Sequence, residues 1–350
     1  MLKVAGEICG LHAQVMSSAE LMLWARVEGL TKGAVPRAVW EHRTLVKIWA
    51  MRGTLHLLPV SELPMWQGAL STSRRYRRPA FWRRVLGITL DELDQLTQAI
   101  GAALDGRVMT RDELAQEVGR QIGSVELGAK LAQGTWGTVL KPAAFAGSLC
   151  FGPSVGQRVR YTRPATWVAA LPAPMNAEPA TAALTRRFLS AYGPATYHDF
   201  ARWWGHCGVA TARQWIAALG DGVTQVELAG ERAWMLAADA REARDLPSQR
   251  SVRLLPAFDQ YVIGASRHAD LLLPGKLRSR VYRPQGWVSP VLLVNGLMQG
   301  VWRHEIQGSR IEIVIEPFVK TPTWVRRAAA EEAERLATFL GGTLSLGWKK

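Results

Sequence analysis

Residues 110–164 read TRDELAQEVGRQIGSVELGAKLAQGTWGTVLKPAAFAGSLCFGPSVGQRVRYTRP, one complete unit whose echoes on either side decide the fold. Thr110 stands three residues before Glu113 and an apolar run follows, the signature of a helix N-terminus in which each side chain satisfies the other residue's backbone N–H. A second helical stretch, VELGAKLAQGTWGTVLKPAAF, comes next. Two β-prone runs around the turn residues GPSVG then complete the unit. Upstream, SSAEL at 17–21 opens LMLWARV, then AVPRAVWEHRTL and the hairpin-like KIWAMRGTLHLL. Downstream, TYHDF at 196–200 opens FARWW, then ATARQWIAALG and VTQVELAGERAWMLA, with Asp199 as a shorter-armed partner in the box. Capped helix, second helix and hairpin recur about every 90 residues, the order of a winged helix-turn-helix.

After residue 250 the pattern changes. SVRLLPAFDQYVIGA, VSPVLLVNGLMQGVWRHE and SRIEIVIEPF read as strands separated by Gly, Pro and Asn turns, and TWVRRAAAEEAERLATFLGG reads as an amphipathic helix. The expectation is an α+β protein with winged-helix modules at 1–85, 86–170 and 178–248, and a β-barrel-like module with a terminal helix at 249–350. LPAPMNAEPA, 171–180, is the expected linker, because Pro172, Pro174 and Pro179 disfavour helix.

Composition bounds the partners. The 350 residues carry a formal charge of +14, and a polyanion, above all nucleic acid, is the expected ligand. A GC-rich genome enriches arginine as well, and clustering separates the two origins. STSRRYRRPAFWRR, 71–84, packs Arg74, Arg75, Arg77, Arg78, Arg83 and Arg84 around Tyr76, Phe81 and Trp82, a candidate phosphate-contacting patch that competes with a merely solvated loop. No apolar run approaches the ~20 residues of a membrane span, so no membrane partner and a cytoplasmic, nucleoid-associated protein are expected. Cys9, Cys150 and Cys207 show no zinc-ligand spacing with the histidines, and His206 beside Cys207 cannot converge with it on one ion. Neither metal nor cofactor is expected. The tryptophans of ARWWGHCG and QGTWGTV read as core packing rather than base-stacking platforms.

GLHAQ, 10–14, interrupts two helical patterns and reads as a turn. Either it is only a turn, or His12 and Gln14 are placed there for chemistry. GLHAQ, SSAELMLWARV, RTLVKIWAMRGTLHLLP, LLPAFDQYVIG and VLLVNGLMQGVWRHE together resemble the winged-helix DNA glycosylases of the AlkZ and YcaQ type, which include azinomycin self-resistance proteins. The resemblance spans the whole chain, and RGTLHLLP and LLPAFDQYV are its most specific parts. It implies three tandem winged helices and a β-barrel in a C-shape around duplex DNA, and excision of bulky alkylated purines or unhooking of interstrand crosslinks. It places the catalytic Gln-x-Gln, or Gln-x-Asp, at His12 and Gln14, so histidine replaces the first glutamine. Only nine residues precede Gly10, where family members carry a longer first helix; a start upstream of Met1 or a trimmed first module is the expectation.

Excising an N7- or N3-alkylated purine expels a leaving group that is already cationic. The site must therefore place a water opposite C1′ and stabilise an oxocarbenium-like sugar. Gln14 can orient that water through its carbonyl oxygen, and a neutral His12 can accept its proton, which predicts activity falling below the histidine's pKa. No lysine other than Lys3 lies near the motif, so a monofunctional glycosylase is expected; a monomer is the expected state. His56 reads as a structural histidine bonded to a backbone group. Arg52 reads either as a phosphate anchor or as the partner of a core carboxylate. A catalytically silent DNA-binding protein or transcriptional regulator is the alternative that the same winged helices permit.

Overall fold

A computed structural model describes residues 1–133, 137–243 and 250–349; Trp136 and the boundary expected at 248–249 lie outside the described residues. Thr110 caps the helix Arg111–Ile122 in a reciprocal box with Glu113, and Thr196 caps Tyr197–Trp204 in the same way with Asp199. A further box, Thr89 with Glu92, opens Leu90–Ala103 and escaped the sequence reading. The box expected at Ser17 does not form. Strand pairing through Ala13 N–H to the Leu55 carbonyl carries the chain up to Val15, which becomes the N-cap of Met16–Trp24, and Glu20 instead accepts from the Val35 N–H at 3.3 Å.

Each unit then follows one order. In the first, the helix Leu2–Glu7 precedes β1 (Leu11–His12), the helices Met16–Trp24 and Ala34–Trp40, and the hairpin β2 (Leu45–Trp49) and β3 (Leu55–Pro59), in a sheet ordered β1-β3-β2. The second runs from Leu90–Ala103 through β4 (Val108–Thr110) and helices to β5 (Cys150–Val155) and β6 (Arg158–Thr162), ordered β4-β6-β5. The third has the helices Ala177–Tyr192, Tyr197–Trp204 and Val209–Ala217 and the hairpin β7 (Val223–Leu228) and β8 (Glu231–Leu236); a single bridge from Ala195 to Trp234 stands where the other units have a first strand. The expected linker ends early, since Pro179 lies in the first turn of Ala177–Tyr192, where a missing N–H costs nothing.

Beyond residue 250 the expected barrel is an open sheet. β9 (Val252–Leu255), β10 (Val291–Val294), β11 (Leu297–Gln307), β12 (Arg310–Pro317) and β13 (Thr343–Trp348) are ordered β13-β12-β11-β10-β9, and the two outer strands do not meet. The helix Thr323–Leu340 crosses back over the sheet, burying Val325, Ala329, Ala333 and Leu336, and returns the chain so that β13 joins β12 in parallel. With its apolar face covered by that helix, the sheet has no need to close. The run SVRLLPAFDQYVIGA is a strand only to Leu255; the helix Gln260–Gly264 follows, capped by Asp259.

Among the described residues the buried apolar side chains form two continuous clusters, and the sheet β1-β3-β2 stands between them. Leu11, Leu45 and Leu57 join the cluster made with residues 252–337, whereas Val46, Ile48 and Leu58 on the other face join the cluster that runs through the second and third units. No helix among the described residues is long and apolar enough to cross a membrane.

Candidate active site

GLHAQ is the start of a sheet edge, not a turn between helices. Leu11 and His12 pair with Leu57 and His56 of β3, a partner so distant in sequence, for a strand so short, that no alternation could reveal it. Gly10 adopts φ +83, and a Cβ there would lie 2.5 Å from Leu58 Cδ2, so both the turn and the close packing require glycine. The Gly10 carbonyl accepts from Gln260 Nε2 at 2.9 Å, which ties this edge to the LPAFDQ loop. There Asp259, fully buried, takes a bidentate pair from Arg26 at 2.8 Å and 2.8 Å and accepts from the Tyr261 N–H. Phe258, held in the left-handed region at φ 57, stacks on the His12 ring at 5.1 Å and 18°.

His12 faces a cavity of about 350 Å³ walled by the first unit, the third unit and the C-terminal module. Arg52, Arg202, Arg278 and Arg283 supply positive charge, and Phe258, Tyr282, Trp203 and Trp287 supply aromatic surface. Trp287 is half exposed and sets its ring against Phe258 at 4.8 Å. Arg52 belongs to the tight β2–β3 turn, with φ 57 beside Gly53 at φ 71; its Nη1 donates to the Trp203 carbonyl at 2.9 Å and its Nη2 is buried without a partner among the described residues. No carboxylate among the described residues pairs with it. Strained non-glycine residues held by surrounding contacts are features of functional sites, and both Arg52 and Phe258 line this one. Asp199 also lines it, with its carboxylate committed to the Thr196 cap, His268 and Arg267.

Burial, followed by the nearby Arg52 charge, pushes the His12 pKa down to about 3, so its ring is neutral at any physiological pH. A base titrating near neutral pH, as the sequence led one to expect, is not what this environment makes. His56 is fully buried opposite His12; its Nδ1 is 3.0 Å from the Thr54 carbonyl, the expected backbone partner, but its Nε2 has none among the described residues. Gln14 is exposed, two residues past His12, and is not among the residues lining the cavity.

The arginine cluster divides. Arg74, Arg75 and Arg78, with Tyr76 and Lys141, line a second opening, a groove of about 750 Å³. Arg75 also donates to the Gly205 carbonyl at 2.8 Å, and Arg77 pairs with Asp94. Arg83 and Arg84 are exposed in the last turn of Pro79–Leu86, where they also complement the helix dipole. His206 is buried: its Nε2 donates to the Ala50 carbonyl at 3.0 Å and its Nδ1 accepts from Ser73 at 2.9 Å, which packs the groove against the Arg52 turn. Trp203 and Trp204 are buried in the core as expected, although Trp203 also reaches the cavity wall. Sequence reasoning missed Lys141, Arg202, Phe258, Arg278, Arg283 and Trp287 as site residues; of these Lys141, Arg202 and Phe258 lay in stretches already singled out.

A family model described as DNA glycosylase AlkZ-like matches residues 5–339. An interstrand DNA cross-link repair glycosylase of Streptomyces sahachiroi is 36% identical over 344 residues, covering 97% of this chain and 90% of that protein. The solved structure of Streptomyces sahachiroi DNA glycosylase AlkZ matches with a TM-score of 0.89 at 34% identity, covering 99% of this chain and 93% of that one. On the match of family model, sequence and fold over nearly its full length, the chain belongs to the AlkZ-like DNA glycosylase family.

Proposed function

We propose that this chain hydrolyses the N-glycosidic bond of alkylated purines in duplex DNA, bulky and crosslinked adducts included, with His12 and Gln14 holding the attacking water. The observation that carries this reading is the placement of His12, neutral and stacked on Phe258, on the wall of a cavity ringed by arginine and aromatic side chains. The leaving purine is already cationic, so the bond breaks toward an oxocarbenium-like sugar and no strong acid is needed. A neutral imidazole offers a lone pair to orient water without adding positive charge beside that sugar. With a pKa near 3 it positions the water rather than taking up its proton for long. Gln14, exposed beyond the strand end, meets the substrate from the solvent side.

Arginines on the cavity rim hold the phosphates of the extruded nucleotide, and Phe258 and Trp287 offer faces to its base. Arg74, Arg75 and Arg78 in the groove take the flanking backbone. In this reading the three repeated units are winged helices, divided as the sequence suggested, and the chain wraps duplex DNA in a C-shape as a monomer. The helices and hairpin that recur in each unit support the winged-helix division.

The test uses a duplex oligonucleotide with one N7-alkylguanine, scoring alkali-labile abasic sites under single turnover. Wild type is expected to excise, and His12→Ala and Gln14→Ala to lose on the order of 10²-fold in rate while DNA binding is kept. Absence of excision from both a small and a bulky adduct, with tight binding to undamaged DNA, overturns the reading in favour of a silent DNA-binding protein.

A further inference from the structure

His12 and His56 are opposite one another in the β1–β3 ladder. The neighbouring position, Ala13 with Leu55, carries the backbone hydrogen bond. His12 and His56 are therefore the non-hydrogen-bonded pair, the one in which facing side chains approach most closely. Their rings meet edge to face, with centroids 5.5 Å apart and planes at 84°. Each ring keeps one buried nitrogen without a partner among the described residues: Nδ1 of His12 and Nε2 of His56.

The polarity of these two atoms follows from simple chemistry. The Thr54 carbonyl can only accept, so His56 must carry its proton on Nδ1, 3.0 Å away. In a neutral ring that leaves His56 Nε2 as a lone pair. The adjoining ring complements that lone pair only if His12 carries its own proton on Nδ1; no bond between the two atoms is formed among the described residues, and the Nδ1–H tautomer is the one that lets the edge-to-face contact close into it. The other His12 nitrogen, Nε2, is then the unprotonated one, free to present its lone pair to the cavity. The reverse tautomer would oppose two buried lone pairs and turn an N–H toward the reacting water.

The geometry points to His56 as a positioning residue that fixes His12 in the Nδ1–H tautomer. The chain Thr54 carbonyl, His56, His12, water works as the orienting partners of functional histidines do elsewhere, each group setting the proton position of the next. The assignment rests on the reading of His12 as the water-holding residue. Neither the backbone bond of His56 nor the pairing of β1 with β3 needs a polar atom at His56 Nε2, so a purely architectural histidine leaves that atom unexplained.

The experiment is a long-range ¹H–¹⁵N correlation spectrum of the full chain labelled at histidine, with the His12 signals identified by their loss in His12→Gln. The unmodified protein is expected to show a protonated Nδ1 and a free Nε2 at His12. In His56→Phe the other tautomer gains population, and the single-turnover excision rate falls on the order of tenfold with DNA affinity unchanged. His56→Gln, whose amide oxygen falls near the lost Nε2, restores both the tautomer and most of the rate. A protonated Nε2 at His12 in the unmodified protein overturns the proposal, as does an unchanged tautomer in His56→Phe or an equal loss of rate in both variants. Should His56→Phe not fold, the unmodified tautomer still decides. If the protein excises no adduct at all, the spectrum answers the tautomer question separately from the enzymatic one.

Discussion

Lowering the pH from about 7.5 to about 5.5 should destabilise the folded protein through its buried histidines. His12 and His206 are held neutral by burial with pKa values pushed down to about 3 and about 4, and His56 is lowered well below 6.5 for the same reason. In the unfolded chain these imidazoles titrate near 6.5, so below that pH the unfolded state binds protons that the folded state does not. Stability is thus complete above pH ~6.5 and is lost as pH falls toward the folded values. One pH unit below 6.5, each histidine costs about 1.4 kcal/mol, about 4 kcal/mol for the three. That is a large part of an ordinary stability of ~5–15 kcal/mol and corresponds to a fall of about 5 °C in Tm for a chain of this length. His304, also lowered by burial, acts in the same direction. Ordinary carboxylates titrate near pH 4 and leave this window clear. The assay is urea unfolding followed by tryptophan emission, with thermal melts alongside, and His56→Gln should remove about a third of the pH dependence. A stability that does not change between the two pH values would refute the burial argument, and with it the neutral state assigned to His12.

Other consequences are as direct. The pH profile of single-turnover excision should show no limb attributable to His12 between about pH 5 and 8; a limb near 6.5 that vanishes in His12→Gln would show that DNA binding restores an ordinary histidine. Replacing Arg74 and Arg78 together by alanine should weaken binding of any duplex and flatten the dependence of log K on log salt by about 2; an unchanged slope removes the groove from the DNA interface. Arg26→Ala strands the Asp259 carboxylate in the interior and should cost about 3–5 kcal/mol in urea unfolding, whereas a loss below about 1 kcal/mol would show an exposed-type pair of little worth.

Local chemistry was legible in the sequence wherever a short stretch contains its own cause. The Thr110 and Thr196 boxes, the hairpins and the helix over 323–340 all depend on residues within a few positions of one another. SSAEL failed because a competing strand, paired across to Leu55, carried the chain into the helix before Ser17 could cap it. β13 was missed although Leu344, Leu346 and Trp348 alternate, since six residues at a chain end give a weak period. The site was half legible. His12, Arg52 and the LPAFDQ stretch were marked, but nothing local indicates that Gln260 reaches Gly10 across 250 residues or that Phe258 covers the His12 ring. The depressed pKa of His12 is likewise a property of what surrounds it, and the surroundings come from three separate parts of the chain.

The sheet shared by the two clusters also sets an order of events during synthesis. β1, β2 and β3 emerge from the ribosome first, and the helices Met16–Trp24 and Ala34–Trp40 share a cluster with Leu11, Leu45 and Leu57 early, yet the rest of that cluster, from Val252 onward, is made much later. At ~5–20 residues per second that delay is on the order of tens of seconds. Throughout it part of that apolar cluster stays open beside the strand that carries His12, and Phe258, Tyr282 and Trp287 join the wall of the cavity only after the delay.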